Sequence, residues 1–213
     1  MLKKRDIFFV ITLMSLFAMI VVLLETGKIV KIENIAYTEL SEWITPTFTV
    51  IVKIITNIGG PLIILSICLV LLFLHTTRKK FGIPVTIAVV SSFLLNTILK
   101  NIFARPRPDV LRLVTENSYS FPSGHSMINA SLYTILVLLI LKNSSKKKRS
   151  VIISISLIIL FLLIGISRIY LGVHYLGDVL AGWTLGVLVS FIIYLIFKKV
   201  ESKNNNNSNN SSN

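Results

Sequence analysis

Three short polar clusters interrupt a chain that is otherwise apolar, at residues 100–108, 120–125 and 167–178. They hold two of the three histidines, His125 and His174, and a concentration of arginine. Fixed cations beside histidines suit the transfer of a phosphoryl group, because that reaction depends mainly on positioning and on charge stabilisation. We therefore expect the three clusters to form one site that binds a phosphate ester.

The third cluster contains a histidine and a carboxylate four residues apart, His174 and Asp178. On a helix such residues share a face, so the carboxylate can hold one imidazole nitrogen and leave the other basic. Alone this pair is weak evidence, since the spacing occurs often by chance. Arg168 adds a guanidinium that is suited to forked contact with phosphate oxygens.

The second cluster is typical of a helix start, with Ser123 as its cap and Gly124 permitting close approach of the backbone. The free N–H groups of a helix N-terminus form an anion site. An ordinary N-cap after Pro122 explains these two residues equally well. His125 favours the functional interpretation, because an imidazole in the first turn has no capping role and is suited to proton transfer.

The first cluster places Lys100 and Arg107 seven residues apart at the end of an apolar run. Basic residues at the end of a span are often interfacial anchors, which is the alternative interpretation. A two-metal phosphatase would need several converging carboxylates or histidines. The clusters offer few carboxylates, so we expect no metal and no cofactor.

The composition indicates an integral membrane protein. Of the 213 residues 54% are apolar and only 15% are charged, whereas soluble domains have about 25% charged residues. Apolar runs long enough to cross the bilayer predict six transmembrane helices in an all-α bundle. Their approximate bounds are 7–24, 57–74, 82–100, 124–141, 150–166 and 178–197, and the stretch 48–58 could be an interfacial approach helix.

The net charge of +13 does not point to nucleic acid, because the basic residues lie at span ends. Fourteen lysines and arginines fall on the connections that share a side with the N-terminus, and eight fall on the other side, five of these in or beside the polar clusters. The positive-inside bias predicts a multi-pass protein of the cell membrane with both termini cytoplasmic and all three clusters extracytoplasmic.

We expect one membrane domain over residues 1–200. The segment 201–213 is rich in asparagine and serine and should be disordered, because it has little apolar surface to bury. The segment 25–46 between the first two spans is mixed in character. It indicates an exposed connection with some amphipathic helix and without evident chemistry.

The three clusters together resemble the tripartite signature of the type 2 phosphatidic acid phosphatase family. Lys100 is followed after six residues by Arg107-Pro108, PSGH stands at 122–125, and Arg168 precedes His174 and Asp178 with the signature spacing. Of the doubled Arg-Pro, the family spacing selects Arg107, which leaves Arg105 as an accessory or structural residue. Within the family the chain is similar to small bacterial lipid phosphatases of the phosphatidylglycerophosphatase B type, which include undecaprenyl diphosphate phosphatases. The resemblance implies the helical core of acid phosphatases and vanadium haloperoxidases.

The resemblance also implies a mechanism. His174 attacks phosphorus and Asp178 holds its tautomer, while His125 protonates the leaving oxygen and later activates water. The phosphate oxygens are bound by Lys100, Arg107, Ser123, Gly124 and Arg168. The implied activity is metal-independent hydrolysis of a membrane lipid phosphate, such as phosphatidylglycerol phosphate, phosphatidic acid or undecaprenyl diphosphate.

Two other functions use the same residues. A phosphotransferase would pass the phosphoryl group from His174 to a lipid or sugar, and the signature does not separate it from a hydrolase, because acceptor choice depends on pocket shape. A non-enzymatic binder of anionic lipid would need the cations but has no use for His174 and Asp178 at a fixed spacing. Neither the lipid nor the oligomeric state follows from the sequence.

Overall fold

The computed structural model describes residues 3–210, the side chains of residues 204–210 excepted, and this part consists of helices and loops without β-strands. The predicted all-α fold is confirmed. The chain also contains a π-helical turn, Arg78–Gly82. The α-helices are α1 (Lys4–Glu25), α2 (Val30–Ser41), α3 (Pro46–Ile58), α4 (Pro61–Phe73), α5 (His75–Thr77), α6 (Ile83–Phe103), α7 (Gly124–Asn143), α8 (Lys147–Tyr170) and α9 (Leu176–Asn210).

Six helical segments among the described residues are long and apolar enough to cross a membrane, which confirms the predicted number of spans. The second, Pro46–Phe73, begins earlier than the predicted residue 57. It combines α3 and α4 across a break at Gly59 and Gly60. The 13 residues of α4 reach only about 20 Å. Since the hydrocarbon core is about 30 Å thick, α3 is needed to complete the span.

Helix α7 is central in the bundle and contacts α6, α8 and α9. Its side chains Ala130, Leu132 and Ile135 are fully buried, as expected for the helix that is surrounded by the others. Many apolar side chains on the outer helices are exposed instead, such as Leu62 and Phe73. A bundle with an apolar exterior is typical of a membrane protein, because lipid rather than water covers that surface.

The ends of the helices separate the polar residues into two groups. The C-terminal ends of α6 and α8 and the N-terminal ends of α7 and α9 carry the three polar clusters. Basic residues of the other connections, including Lys79, Lys80 and Lys142, lie together around a second cavity beside Glu201. The clusters are therefore brought together at one end of the bundle, away from those connections.

Helix α9 continues to Asn210 and thus runs into the segment 201–213, for which the sequence predicts disorder. Residues 211–213 lie outside the described residues. The division of the chain into a membrane domain and a disordered tail at residue 200 stays a prediction.

Candidate active site

A cavity of about 790 Å³ lies at the end of the bundle where the three polar clusters meet. Each cluster contributes to it from a different helix end, because alternate connections of an antiparallel bundle lie on the same side. Five of the predicted site residues line this cavity, namely Lys100, Arg107, Gly124, His125 and His174.

The imidazole of His174 is held by Asp178 and Ser120. His174 lies in the turn before α9 and not on the helix itself, yet its Nδ1 is 3.4 Å from Oδ2 of Asp178. The Ser120 hydroxyl donates to the same carboxylate oxygen at 2.5 Å and lies 3.3 Å from Nδ1 of His174. The carboxylate thus faces Nδ1, which leaves Nε2 as the unprotonated nitrogen.

Burial lowers the pKa of His174 to about 4, against the opposing effect of the Asp178 carboxylate. The imidazole side chain is only 2% exposed, and a charged ring there would lose most of its hydration. The neutral imidazole is therefore the form present near pH 7, and it is the form with a free lone pair.

Arg107 and Lys100 are held in place by the loop between α6 and α7. Arg107 donates to the carbonyl oxygen of Ser118 at 2.6 Å and to that of Val173 at 2.8 Å, and its Nη1 lies 3.4 Å from Nε2 of His174. Lys100 donates to the Ser118 hydroxyl at 3.0 Å and to the Tyr119 carbonyl. Two cations thus lie beside the cavity with their orientation fixed by backbone carbonyls.

Arg168 is buried behind the cavity and is paired with Glu116. Its guanidinium donates to Thr56 Oγ1 at 2.9 Å and forms an ion pair with the Glu116 carboxylate. The second oxygen of Glu116 lies 3.7 Å from Nη2 of Arg107. One carboxylate therefore bridges two of the arginines that the sequence assigns to phosphate binding. This position accommodates an anion.

The N-terminus of α7 has the predicted cap. Ser123 accepts from the backbone N–H of Ser126 at 3.4 Å and from the Ser126 hydroxyl at 3.0 Å. Gly124 faces the Asn96 amide, where a Cβ would lie 3.1 Å from Oδ1. The backbone of α7 therefore starts directly at the wall of the cavity, with His125 in its first turn.

The predicted residues fall into two layers. Arg168, Ser123 and Asp178 are buried behind those that line the cavity. His75, the third histidine, is exposed in α5, next to the basic turn Arg78–Gly82 and away from the cavity lining. His75 also lies outside the three polar clusters of the sequence, so it was not expected in the site.

Four residues that contact the predicted site residues were not predicted from the sequence. Ser120 stands in a cluster already singled out, so its polarity was a usable signal. Glu116 and Thr56 had no spacing that tied them to the cations. The interpretation of residues 25–46 as lacking chemistry was wrong, because Glu33 of α2 pairs with Arg105 at 2.7 Å beside Asp178. An ion pair between residues so distant in the chain leaves no pattern in the sequence.

Within the described part of the chain, no three histidine, cysteine or acidic side chains converge so as to hold a metal ion. The fixed cations at the cavity, Lys100 and Arg107, suit an anion. A reaction without metal stays a prediction.

Comparisons with known proteins agree with this geometry. The PAP2 superfamily matches residues 81–202. Phosphatidylglycerophosphatase B of Bacillus subtilis is 34% identical over 152 residues, which cover 69% of this chain and 74% of that protein. An undecaprenyl-diphosphatase of Sulfolobus acidocaldarius is 32% identical over 142 residues, which cover 62% and 65%. The crystal structure of a PAP2-type phosphatidylglycerolphosphate phosphatase from Bacillus subtilis superimposes with a TM-score of 0.82 at 28% identity, covering 90% of this chain and 96% of that one.

Proposed function

The chain belongs to the PAP2 superfamily, and on that premise we propose that it hydrolyses a membrane lipid phosphate through a phosphohistidine intermediate on the extracytoplasmic side. The observation that carries the proposal is the His174–Asp178 pair at the wall of a cavity that Lys100 and Arg107 also line. A nucleophile with an orienting carboxylate and adjacent fixed cations meets the needs of phosphoryl transfer.

In the first step Nε2 of His174 attacks phosphorus. The N–P bond forms while the bond from phosphorus to the leaving oxygen breaks, and His125 donates a proton to that oxygen. Asp178 accepts the Nδ1–H of His174 and stabilises the positive charge that develops on the ring. Lys100, Arg107 and Arg168, with the Ser123 hydroxyl and the Gly124 amide, bind the equatorial oxygens.

In the second step water attacks the phosphohistidine. His125 takes the proton from that water, the N–P bond breaks, and inorganic phosphate leaves with His174 again neutral. The Glu116 carboxylate bridges Arg107 and Arg168, which supports this position as the one that the phosphate oxygens take. The substrate phosphate has to displace it.

The apolar part of the cavity wall supports a lipid substrate. Side chains from three helices contribute apolar surface to the cavity lining, namely Ile64 of α4, Phe93 of α6 and Ile128 of α7. Phe93 is 56% exposed on the outer surface of the bundle. An acyl or prenyl chain can therefore reach the phosphate site from the bilayer without crossing a polar surface.

The distribution of basic residues supports the extracytoplasmic position of the site. Among the connections, the excess of lysine and arginine lies on the side opposite the three clusters. The substrate phosphate would then be hydrolysed at the outer surface of the membrane. Phosphatidylglycerol phosphate, phosphatidic acid and undecaprenyl diphosphate all present a phosphate on an apolar tail and are the substrates to compare.

The test is phosphate release by purified protein in detergent from each of these lipids, with a chelator present. We expect release without added metal, and His174→Ala to reduce it to a few per cent or less, because a covalent nucleophile is removed. His75→Ala, a histidine change outside the site, should retain full activity. Substantial phosphate release by His174→Ala would contradict the nucleophile, and phosphate recovered on a lipid or sugar instead of in solution would favour a phosphotransferase.

A further inference from the structure

The Arg105 guanidinium lies between two buried carboxylates and joins α2 to the catalytic pair. It donates to Oδ1 of Asp178 at 2.6 Å, and to the two oxygens of Glu33 at 3.1 and 2.7 Å. The guanidinium also stacks on the ring of Tyr175, 4.0 Å from its centroid. The side chains of Arg105, Glu33 and Asp178 are 13%, 2% and 0% exposed. These contacts are thus largely shielded from solvent.

The two oxygens of Asp178 have different partners. Oδ1 accepts from Arg105, while Oδ2 accepts from the Ser120 hydroxyl and from the Tyr175 N–H and faces His174. The carbonyl of Arg105 in turn accepts from the Ser120 N–H at 2.9 Å. Arg105 therefore fixes both the carboxylate and the serine that orient the imidazole, because rotation of the carboxylate would break the contact at Oδ1.

The charges of the three side chains explain why Glu33 accompanies Arg105. A guanidinium paired with Asp178 alone would neutralise the carboxylate that has to stabilise positive charge on His174. Glu33 returns the sum over the three groups to one negative charge. In a buried cluster a charge difference of this kind acts strongly on a neighbouring imidazole.

Glu33 is itself fixed to the start of α9. Its Oε1 accepts from the backbone N–H of Gly177 at 3.1 Å, and a Cβ at Gly177 would lie 2.7 Å from that oxygen. A carboxylate at the N-terminus of a helix is favourably placed for the helix dipole. Helix α2 is therefore held against the first turn of α9, which carries Asp178.

We propose that Glu33 and Arg105 are a positioning pair, which orients Asp178 towards His174 and keeps the buried cluster negatively charged. The inference rests on the proposed role of His174 as nucleophile. The other charged or titratable groups that face the catalytic pair from the elements around it are Lys100, Arg107, Glu116, Arg168, His125 and Tyr175.

The test compares the pH dependence of kcat/KM in four proteins: wild type, Glu33→Gln, the double variant Glu33→Gln with Arg105→Gln, and Glu39→Gln. The last is the matched control, because Glu39 is exposed on the same helix α2. Protonation of the lipid phosphate is common to all four proteins. Differences between them in the acidic limb of the pH profile therefore reflect protonation of groups on the enzyme. The position of that limb does not depend on how much of each sample is folded.

Glu33→Gln makes the sum over the three groups neutral, so His174 is protonated less readily and the acidic limb moves to lower pH. Its kcat falls about tenfold, since the positive charge on the ring is less stabilised. The double variant has one negative charge again, and its limb returns to the wild-type position. Glu39→Gln leaves the acidic limb and kcat unchanged. In a separate comparison of kcat, Arg105→Lys, which keeps the charge, retains more activity than Arg105→Gln.

Failure of the inference and failure of the proposed function give different results. Wild-type protein mixed with a substrate labelled in its phosphate and quenched in alkali should carry the label on His174. Absence of label on His174 in the wild-type protein contradicts its assignment as the nucleophile, and with it the proposed role of the positioning pair. A labelled wild type together with an unmoved limb in Glu33→Gln, or with a double variant displaced like the single one, overturns the positioning pair alone.

Discussion

Glu116 places a carboxylate between the guanidinium groups of Arg168 and Arg107, which are proposed to bind the substrate phosphate. The side chain is 28% exposed, so it can leave towards solvent, whereas the arginines are buried. A bound phosphate would take over the contacts that both arginines make with Glu116. Part of the affinity for phosphate would then be used to displace this carboxylate.

Glu116→Gln should strengthen phosphate binding, because the amide keeps the shape of the side chain but removes the competing charge. We expect the inhibition constant of inorganic phosphate to fall about tenfold, which corresponds to about 1.4 kcal/mol. KM for the lipid phosphate should fall as well. Asp109→Asn is the control, since Asp109 is exposed in the same loop. An unchanged or raised inhibition constant in Glu116→Gln would show that this carboxylate does not occupy the phosphate site.

The residues of the signature were predictable because the helices alone determine where they meet. Lys100, His125 and His174 stand at the ends of predicted spans, and alternation of the spans brings those ends to one side. Glu33 and Glu116 were not predictable in this way. Their partners Arg105 and Arg168 are 72 and 52 positions away in the chain, and only the packing of α2 and of the loop after α6 brings the charges together.

At the scale of helices, two glycines of α9 determine how closely it approaches α7. A Cβ at Gly182 would lie 2.8 Å from the Ser123 carbonyl oxygen, and one at Gly186 would lie 2.8 Å from the Cβ of Ala130. Ser190 continues the contact by donating to the carbonyl of Ser131 at 2.7 Å. Small residues allow backbones to approach within a membrane. This approach brings the start of α7 against the first turns of α9.

Gly186→Leu should therefore separate α7 from α9 and destabilise the protein by about 1–3 kcal/mol, as expected for overpacking of a tight contact. The measurement is thermal unfolding of the purified protein in detergent, followed by circular dichroism. Ile196→Phe adds bulk to an exposed position of the same helix and should leave the midpoint unchanged. Equal midpoints for Gly186→Leu and wild type would contradict a close α7–α9 contact.

At the scale of the whole molecule, the three polar clusters and the basic connections lie at opposite ends of an apolar bundle. The number of spans and the all-α fold followed from composition and run lengths. The composition of α3 did not distinguish an interfacial helix from half of a span. Its role became clear from packing, because Thr49 and Thr56 contact Tyr170 and Arg168 at the site end of α8.

The proposed orientation predicts which end of the bundle is accessible from outside the cell. Asp109 and Lys147 are exposed at opposite ends, and the native Cys68 is buried. A membrane-impermeant maleimide should label Asp109→Cys in intact cells, and Lys147→Cys only after the membrane is permeabilised. The unaltered protein, whose cysteine Cys68 is buried, measures the background labelling and should not react. The reverse labelling pattern would place the site in the cytoplasm.

His174 is proposed to carry the phosphoryl group during turnover. The direct measurement is to mix the enzyme with a lipid phosphate labelled in its phosphate, quench in alkali, and locate the label by peptide mass. In His125→Ala the label should form more slowly and, once formed, be lost more slowly than in wild type, because the variant lacks both the acid of the first step and the base that activates water. We expect label on His174 that is stable to alkali and lost in acid. Turnover without label on His174 in either protein would contradict it.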